Sequence, residues 1–269
     1  MAITTLDGAL AGMRPFAQFS KTGIAMAAVA ERRWYTPWYI TSGIPGTGAT
    51  PAAGVNGAAL SSPIAGELAR QNPSSGNAYL ARLALSPSVA GTLLLVDRLW
   101  ANSGLSVTST SAQAITPATL PARSADGTTN GEGVLAAIEW SATGGAGTPT
   151  VTLTYTDQSG NTGATSTFAG VTTPPVGTFE VFGLAAGDTG IRAPTSFIQS
   201  ATRTSGTMHL ILFRILASVT CPAANVPMAI DALTGGFGRI YDDSVLQLVW
   251  LPLGTGAATV AGTYTETHG

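Results

Sequence analysis

The seven residues Thr150-Val-Thr-Leu-Thr-Tyr-Thr156 alternate strictly between threonine and a large apolar residue. A period of two puts Val151, Leu153 and Tyr155 on one face of an extended strand and the threonines on the other, which specifies a half-buried strand. Asp157-Gln-Ser-Gly160-Asn161 supplies a turn, and Thr162 to Phe168 reads as the returning strand of a hairpin. Apolar runs of strand length also cover Tyr79 to Leu85, Thr92 to Trp100, Val134 to Trp140, Thr178 to Gly183, Met208 to Leu216, Val245 to Leu251 and Ala258 to Thr265. With no long helix between them, these strands predict a mainly β fold, an antiparallel β-sandwich or jelly-roll-like domain over residues 79–269.

The text before residue 79 reads differently. Thr4 and Asp7 have the spacing of a capping box, and Leu6, Leu10 and Met13 follow at helical intervals, so residues 1–45 are expected to form an N-terminal arm containing a short helix. Glu31 to Ile40 packs four aromatics and three charges into ten residues. Trp, Tyr and Arg dominate interface hot spots and are equally at home as core fillers, so Arg32, Arg33, Trp34, Tyr35, Trp38 and Tyr39 are candidates for an anchor on a neighbouring subunit or for a buried strand. Removing the arm is expected to spare the β-fold. Residues 46–78 are a Gly/Pro/Ala-rich connector, with one short helix expected from Ser62 to about Arg70 and Pro63 in its first turn. A second helical piece is expected over Pro227 to Leu233, stopped by Gly235.

Reactive side chains are scarce. The 269 residues include two histidines, one cysteine and only 10% charged residues, against about 25% in an ordinary soluble domain. His209 lies in a strand pattern, and His268 is penultimate and expected to fray with its surroundings. No zinc spacing and no Gly-x-Ser-x-Gly elbow is present, and the lone Cys221 reads as a small buried apolar group. Glu132, Glu139, Glu180, Asp188, Asp242 and Asp243 could form a carboxylate pair for glycan cleavage only if the fold brings two of them together. Gly235 to Arg239 lacks the register of a phosphate-binding loop, and no cofactor is expected. A net charge of −2 with no basic stripe argues against nucleic acid as a partner. Met1 to Met13 lacks the basic and apolar regions of a signal peptide, and no apolar run is long enough for a membrane helix, so neither export nor membrane insertion is expected.

The opening Met-Ala-Ile-Thr-Thr-Leu-Asp-Gly-Ala-Leu-Ala-Gly-Met13, the segment Gly91 to Leu105 and the run Val151 to Gly163 together resemble tailed-bacteriophage virion structural proteins, in particular head decoration or minor capsid (cement) proteins. The resemblance implies a non-enzymatic virion protein with no active-site residues, assembled in the bacterial cytoplasm. Its implied partners are the major capsid protein and copies of itself, as a trimer. A tail-tube or other tail protein, and a receptor- or glycan-binding fibre module, are the alternatives.

Overall fold

The computed structural model describes residue 3 and residues 5–26, 33–236 and 238–269. Helix α1 (Leu6–Ala11) precedes β1 (Ala17–Met26) and three short strands, β2 (Arg33–Tyr35), β3 (Gly43–Ile44) and β4 (Ala58–Ala59). Next come β5 (Ala78–Pro87), β6 (Gly91–Ala101), β7 (Gln113–Ala114), β8 (Val134–Ala142), β9 (Thr150–Asp157) and β10 (Thr162–Ala169). Then follow β11 (Thr178–Val181), β12 (Ile191–Gln199), β13 (Thr207–Cys221), β14 (Met228–Asp231), α2 (Ala232–Gly235), β15 (Arg239–Ile240), β16 (Leu246–Pro252) and β17 (Gly256–His268). The fold is mainly β and its strand pairings are antiparallel.

The alternating segment is β9. It pairs with β10 in the expected hairpin, with Val151, Leu153 and Tyr155 buried and the threonines between them half-buried or exposed. Asp157 fixes the turn, its carboxylate accepting from the backbone N–H groups of Ser159 at 2.8 Å and Asn161 at 2.9 Å.

Six strands close into a barrel in the order β6, β13, β8, β11, β2 and β16, with β16 pairing back onto β6. The β10-β9-β12-β7 sheet packs its apolar face on one wall, where Leu153, Tyr155 and Phe197 meet Trp100, Trp140 and Leu210. The sheet ordered β14-β5-β17-β1-β3, with β15 also pairing β5, covers another wall, where Phe19, Leu83 and Val260 meet Leu93, Leu95 and Trp250. A barrel flanked by two sheets thus replaces the two facing sheets of the expected sandwich or jelly roll. The closing element is β2, which among the described residues joins β11 through three residue pairs and β16 through Tyr35 and Trp250.

The expected boundary at residue 45 is not a structural division. Strand β1 pairs along β17, and β2 is a stave of the barrel, so the segment read as a detachable arm is built into both. Removing residues 1–40 takes away two structural strands. The connector is likewise strapped to the barrel, with Leu60 N–H donating to Leu99 O at 2.9 Å and Leu68 N–H to Leu246 O at 3.1 Å. Residues 62–70 make turns in place of the expected helix. The Ser62–Pro63 bond is cis, and the Ser62 hydroxyl donates to Glu67 Oε1 at 2.7 Å. Over 227–233 the helical expectation holds only at its end: Met228–Asp231 is a strand, and α2 starts after Asp231, whose carboxylate caps Leu233 and Thr234 N–H at 3.0 Å each.

Candidate functional site

The barrel interior is apolar at one end and polar at the other. Leu94, Val96, Phe179, Phe213 and Val249 fill the apolar end. Continuing the same faces of β6, β8 and β16 brings Arg98, Glu139 and Gln247 to one point, all essentially inaccessible to solvent. Arg98 Nη1 lies 2.8 Å from Glu139 Oε2 and 2.9 Å from Oε1. Gln247 Nε2 donates to Glu139 Oε1 at 2.7 Å and to the Thr36 hydroxyl at 2.8 Å, and Thr36 in turn donates to Leu248 O at 3.0 Å. The Tyr39 hydroxyl completes the carboxylate's shell at 2.8 Å, and Trp38 lies over the guanidinium, 4.8 Å from ring centroid to Cζ. Burial is the largest influence and works against the Arg98 charge, but Glu139 and Tyr39 together more than offset it and hold the pKa above its ordinary value. Burial, reinforced by Glu139, pushes the Tyr39 phenol upward, so it remains a donor. Through Thr36, this network ties β6, β8 and β16 to the end of β2, across the seam where backbone pairing is thinnest.

His209 sits beside this cluster, buried, with Nδ1 3.0 Å from Asn102 O and Nε2 2.8 Å from the Ser141 hydroxyl. Because a carbonyl can only accept, Nδ1 carries the proton and Ser141 donates to Nε2, which is the neutral ring. Burial accordingly lowers the His209 pKa from its ordinary 6.5. A serine–histidine contact is half of a nucleophilic device, but the clefts lined by Arg14 and Glu266, by Ala84 and Ala261, by Trp38 and Leu248, and by Arg123 and Tyr241 include neither His209 nor Ser141. As pH falls through 6.5, the unfolded chain gains a proton that native His209 resists, so stability is lost toward acid. His209→Gln is expected to flatten the decline in melting temperature between pH 7 and pH 5. An unchanged slope in scans of the two proteins contradicts a neutral buried ring.

The candidate carboxylates are dispersed among separate structural tasks. Glu139 and Glu180 lie on neighbouring strands but on opposite faces, because Glu139 is in register with Phe179. Glu180 accepts from Trp140 Nε1 at 3.0 Å and Val171 N–H at 2.8 Å, and its burial raises its pKa. Asp188 accepts from Tyr155, Glu132 from Thr189 and Asp243 from Asn72, each at 2.7 Å. Asp242 lines a shallow cleft of about 400 Å³ with Arg123, Arg239 and Tyr241. Asp97, which sequence reasoning passed over inside an apolar run, is fully buried with Arg123 at 3.3 Å and Arg214 at 3.7 Å. Cys221 is buried, which raises its thiol pKa. His268 is not frayed: its N–H donates to Gly12 O at 2.9 Å and its ring lies 3.1 Å from Glu266.

The six residues proposed as an anchor go mostly inward. Arg32 lies outside the described residues. Tyr35 and Trp38 are buried, Trp34 packs edge-on against Phe213 at 6.5 Å, Tyr39 is bonded to Glu139, and Arg33 is half-buried in β2. The buried-strand reading of these aromatics describes them better: Trp34 packs on the apolar end of the barrel interior and Tyr35 fills the core between the barrel and the β5-β17-β1 sheet.

The surface available for contact lies elsewhere. Thr5 caps α1, accepting from Gly8 N–H at 3.0 Å, and the chain crosses β17 at Gly12, where an added Cβ would stand 2.1 Å from His268 O. Thr267 Oγ1 donates to Ala9 O at 2.6 Å, and Arg14 N–H to Glu266 O at 2.9 Å. A six-residue helix is marginal alone, so these ties hold it. They engage its backbone and small residues, leaving Leu6 (60% exposed), Leu10 (58%), Met13 (42%) and Phe16 (62%) outward. The spacing of the first three was legible, but the face they present was not. On the outer face of the β5-β17-β1 sheet runs a trough of about 570 Å³. Its floor includes Ala84, Ala261 and Thr263, with Ile44 on one edge and Met228 on the other.

Comparison of the chain with protein-family models, with curated proteins and with solved structures finds no match. Among the described residues, no helix is long and apolar enough to cross a membrane.

Proposed function

We propose that the chain is a non-enzymatic virion structural protein, a cement protein of a phage head that acts by docking to the shell and to copies of itself. The observation that carries the reading is the exposed apolar ridge of α1 and Phe16, held outward by ties to β17. An outward-facing apolar row on a pinned helix is a cost in a solitary protein and an asset in an assembled one. The sparse surface charge supports it, since net −2 gives copies little mutual repulsion. So do the internal assignments of Glu139, Glu180 and His209, whose bonds serve the fold. Many copies each making a small contact give a shell its strength.

The test is location. Antibody labelling of virions whose genome encodes the chain is expected to mark the head. Leu6→Ser/Leu10→Ser/Met13→Ser is expected to keep the wild-type melting temperature and lose at least tenfold in copies per particle. Label on the tail tube or fibres favours those alternatives, and unlabelled virions end the reading.

A further inference from the structure

We propose that β10 of one copy pairs edge to edge with β10 of a second copy, antiparallel about a two-fold axis, so that the two β10-β9-β12-β7 sheets become continuous. The inference rests on the reading of the chain as one that docks to its own copies, and it gives that docking an address. In its sheet β10 is the outer strand, and among the described residues its pairing partner is β9 alone. Gly170 N–H donates to Pro149 O at 2.8 Å, which makes residues 149 and 170 a hydrogen-bonded pair. Alternation along the register then turns the backbone groups of Ser166 and Phe168 toward β9 and those of Thr165, Thr167 and Ala169 away from it. The latter three residues are exposed. An open row of backbone N–H and C=O groups is a template for another strand.

Two observations make that strand a second β10. The first is that the other sheet edges are blunted and this one is not. Strand β12 carries Arg192 and Pro194 and is partly covered by β7, β14 has four residues and ends in Asp231, and β3 has two residues with Pro45 next to it. Strand β10 has eight residues, and no charged residue occurs between Asp157 and Glu180, so like meets like without repulsion. The second is that β10 complements itself on both faces. A two-fold through Ser166 sets Thr165 of each copy opposite Thr167 of the other on the outer face, and Ala164 opposite Phe168, small against large, on the inner face. Ala164 and Phe168 already pack half-buried against the core, so the pairing carries that core across the axis. Because the same patch serves both copies, the contact closes on itself and the product is a dimer.

A single pair of strands covers less than the roughly 1,600 Å² of a standard interface, so the contact is weak and shows at tens to hundreds of micromolar. Sedimentation of the full chain over that range is expected to show a monomer–dimer equilibrium. Thr167→Lys sets an ammonium from each copy on the shared edge and is expected to raise the dissociation constant at least tenfold with an unchanged melting temperature. Ser166→Cys places one thiol of each copy at the axis, in the closer, non-hydrogen-bonded kind of pair, and oxidised glutathione is expected to link the copies covalently. Thr167→Cys, whose twin lies two residues further along, is expected to stay unlinked, and the native Cys221 is buried. A monomeric or trimeric wild type, a Thr167→Lys protein that associates like the wild type, or linking of Thr167→Cys in preference to Ser166→Cys overturns the pairing. Monomeric protein that still labels phage heads defeats this inference and leaves the cement reading standing; dimers linked through Ser166→Cys without virion labelling do the reverse.

Discussion

Arg98→Met is expected to destabilise the fold by about 3–5 kcal/mol, because it leaves the Glu139 carboxylate inside the barrel without its cation. Gln247 and Tyr39 still donate to that carboxylate, but neither carries charge. Urea unfolding should measure that deficit. Arg98→Met/Glu139→Gln should recover most of the loss, since removing both charges also removes the cost of burying them. A single variant as stable as the wild type at pH 8 would show that the pair does not hold the barrel.

Trp250→Ala is the second large effect, about 3–5 kcal/mol and a fall in melting temperature of roughly 10 °C for a chain of this size. The indole is fully buried in the core between the barrel and the β5-β17-β1 sheet. It fits closely enough that a Cβ on Gly91 would stand 2.4 Å from its Cζ2. Its residue also supplies the one β16 pairing with β2 at the seam. Trp250→Phe should cost much less, because among the described residues the indole N–H has no hydrogen-bond partner and losing it sacrifices no bond. Equal losses for the two variants in thermal melts would shift the explanation from packing volume to the N–H group.

The strands that announced themselves did so through alternation or through apolar length, as in β9, β6 and β16. Those that did not show each carry a local reason. Strand β1 has a register shift between Lys21 and Ile24, which breaks its period of two. Strand β12 contains Pro194, tolerated because β7 reaches only Ser196 and Phe197 and leaves that edge open. Strand β2 has three residues, too few to carry a period. Because β2 closes the barrel, reading Glu31 to Ile40 as a buried strand without its pairing partners left an expected sandwich in place of a ring. Strand β13 runs to Cys221, five residues past its expected end, with register shifts at Leu212/Phe213 and Ile215/Ala217 that disguise it as a shorter element. For the candidate site, composition misled in one direction and periodicity stopped short in the other. Trp and Tyr serve cores and interfaces alike, so Trp34 to Tyr39 could not be assigned from identity. The spacing of Leu6, Leu10 and Met13 reveals a stripe without revealing what it faces.

Strand β17, from Gly256 to His268, lies between β5 and β1, and β16, from Leu246 to Pro252, lies between β2 and β6. On a ribosome, then, the early strands β1, β2, β5 and β6 emerge with their central neighbours still untranslated. Those neighbours follow only after roughly 145 further residues for β6 and roughly 230 for β1. Synthesis order works against this topology, and a polysome-bound chain of this protein is a natural client for holding chaperones.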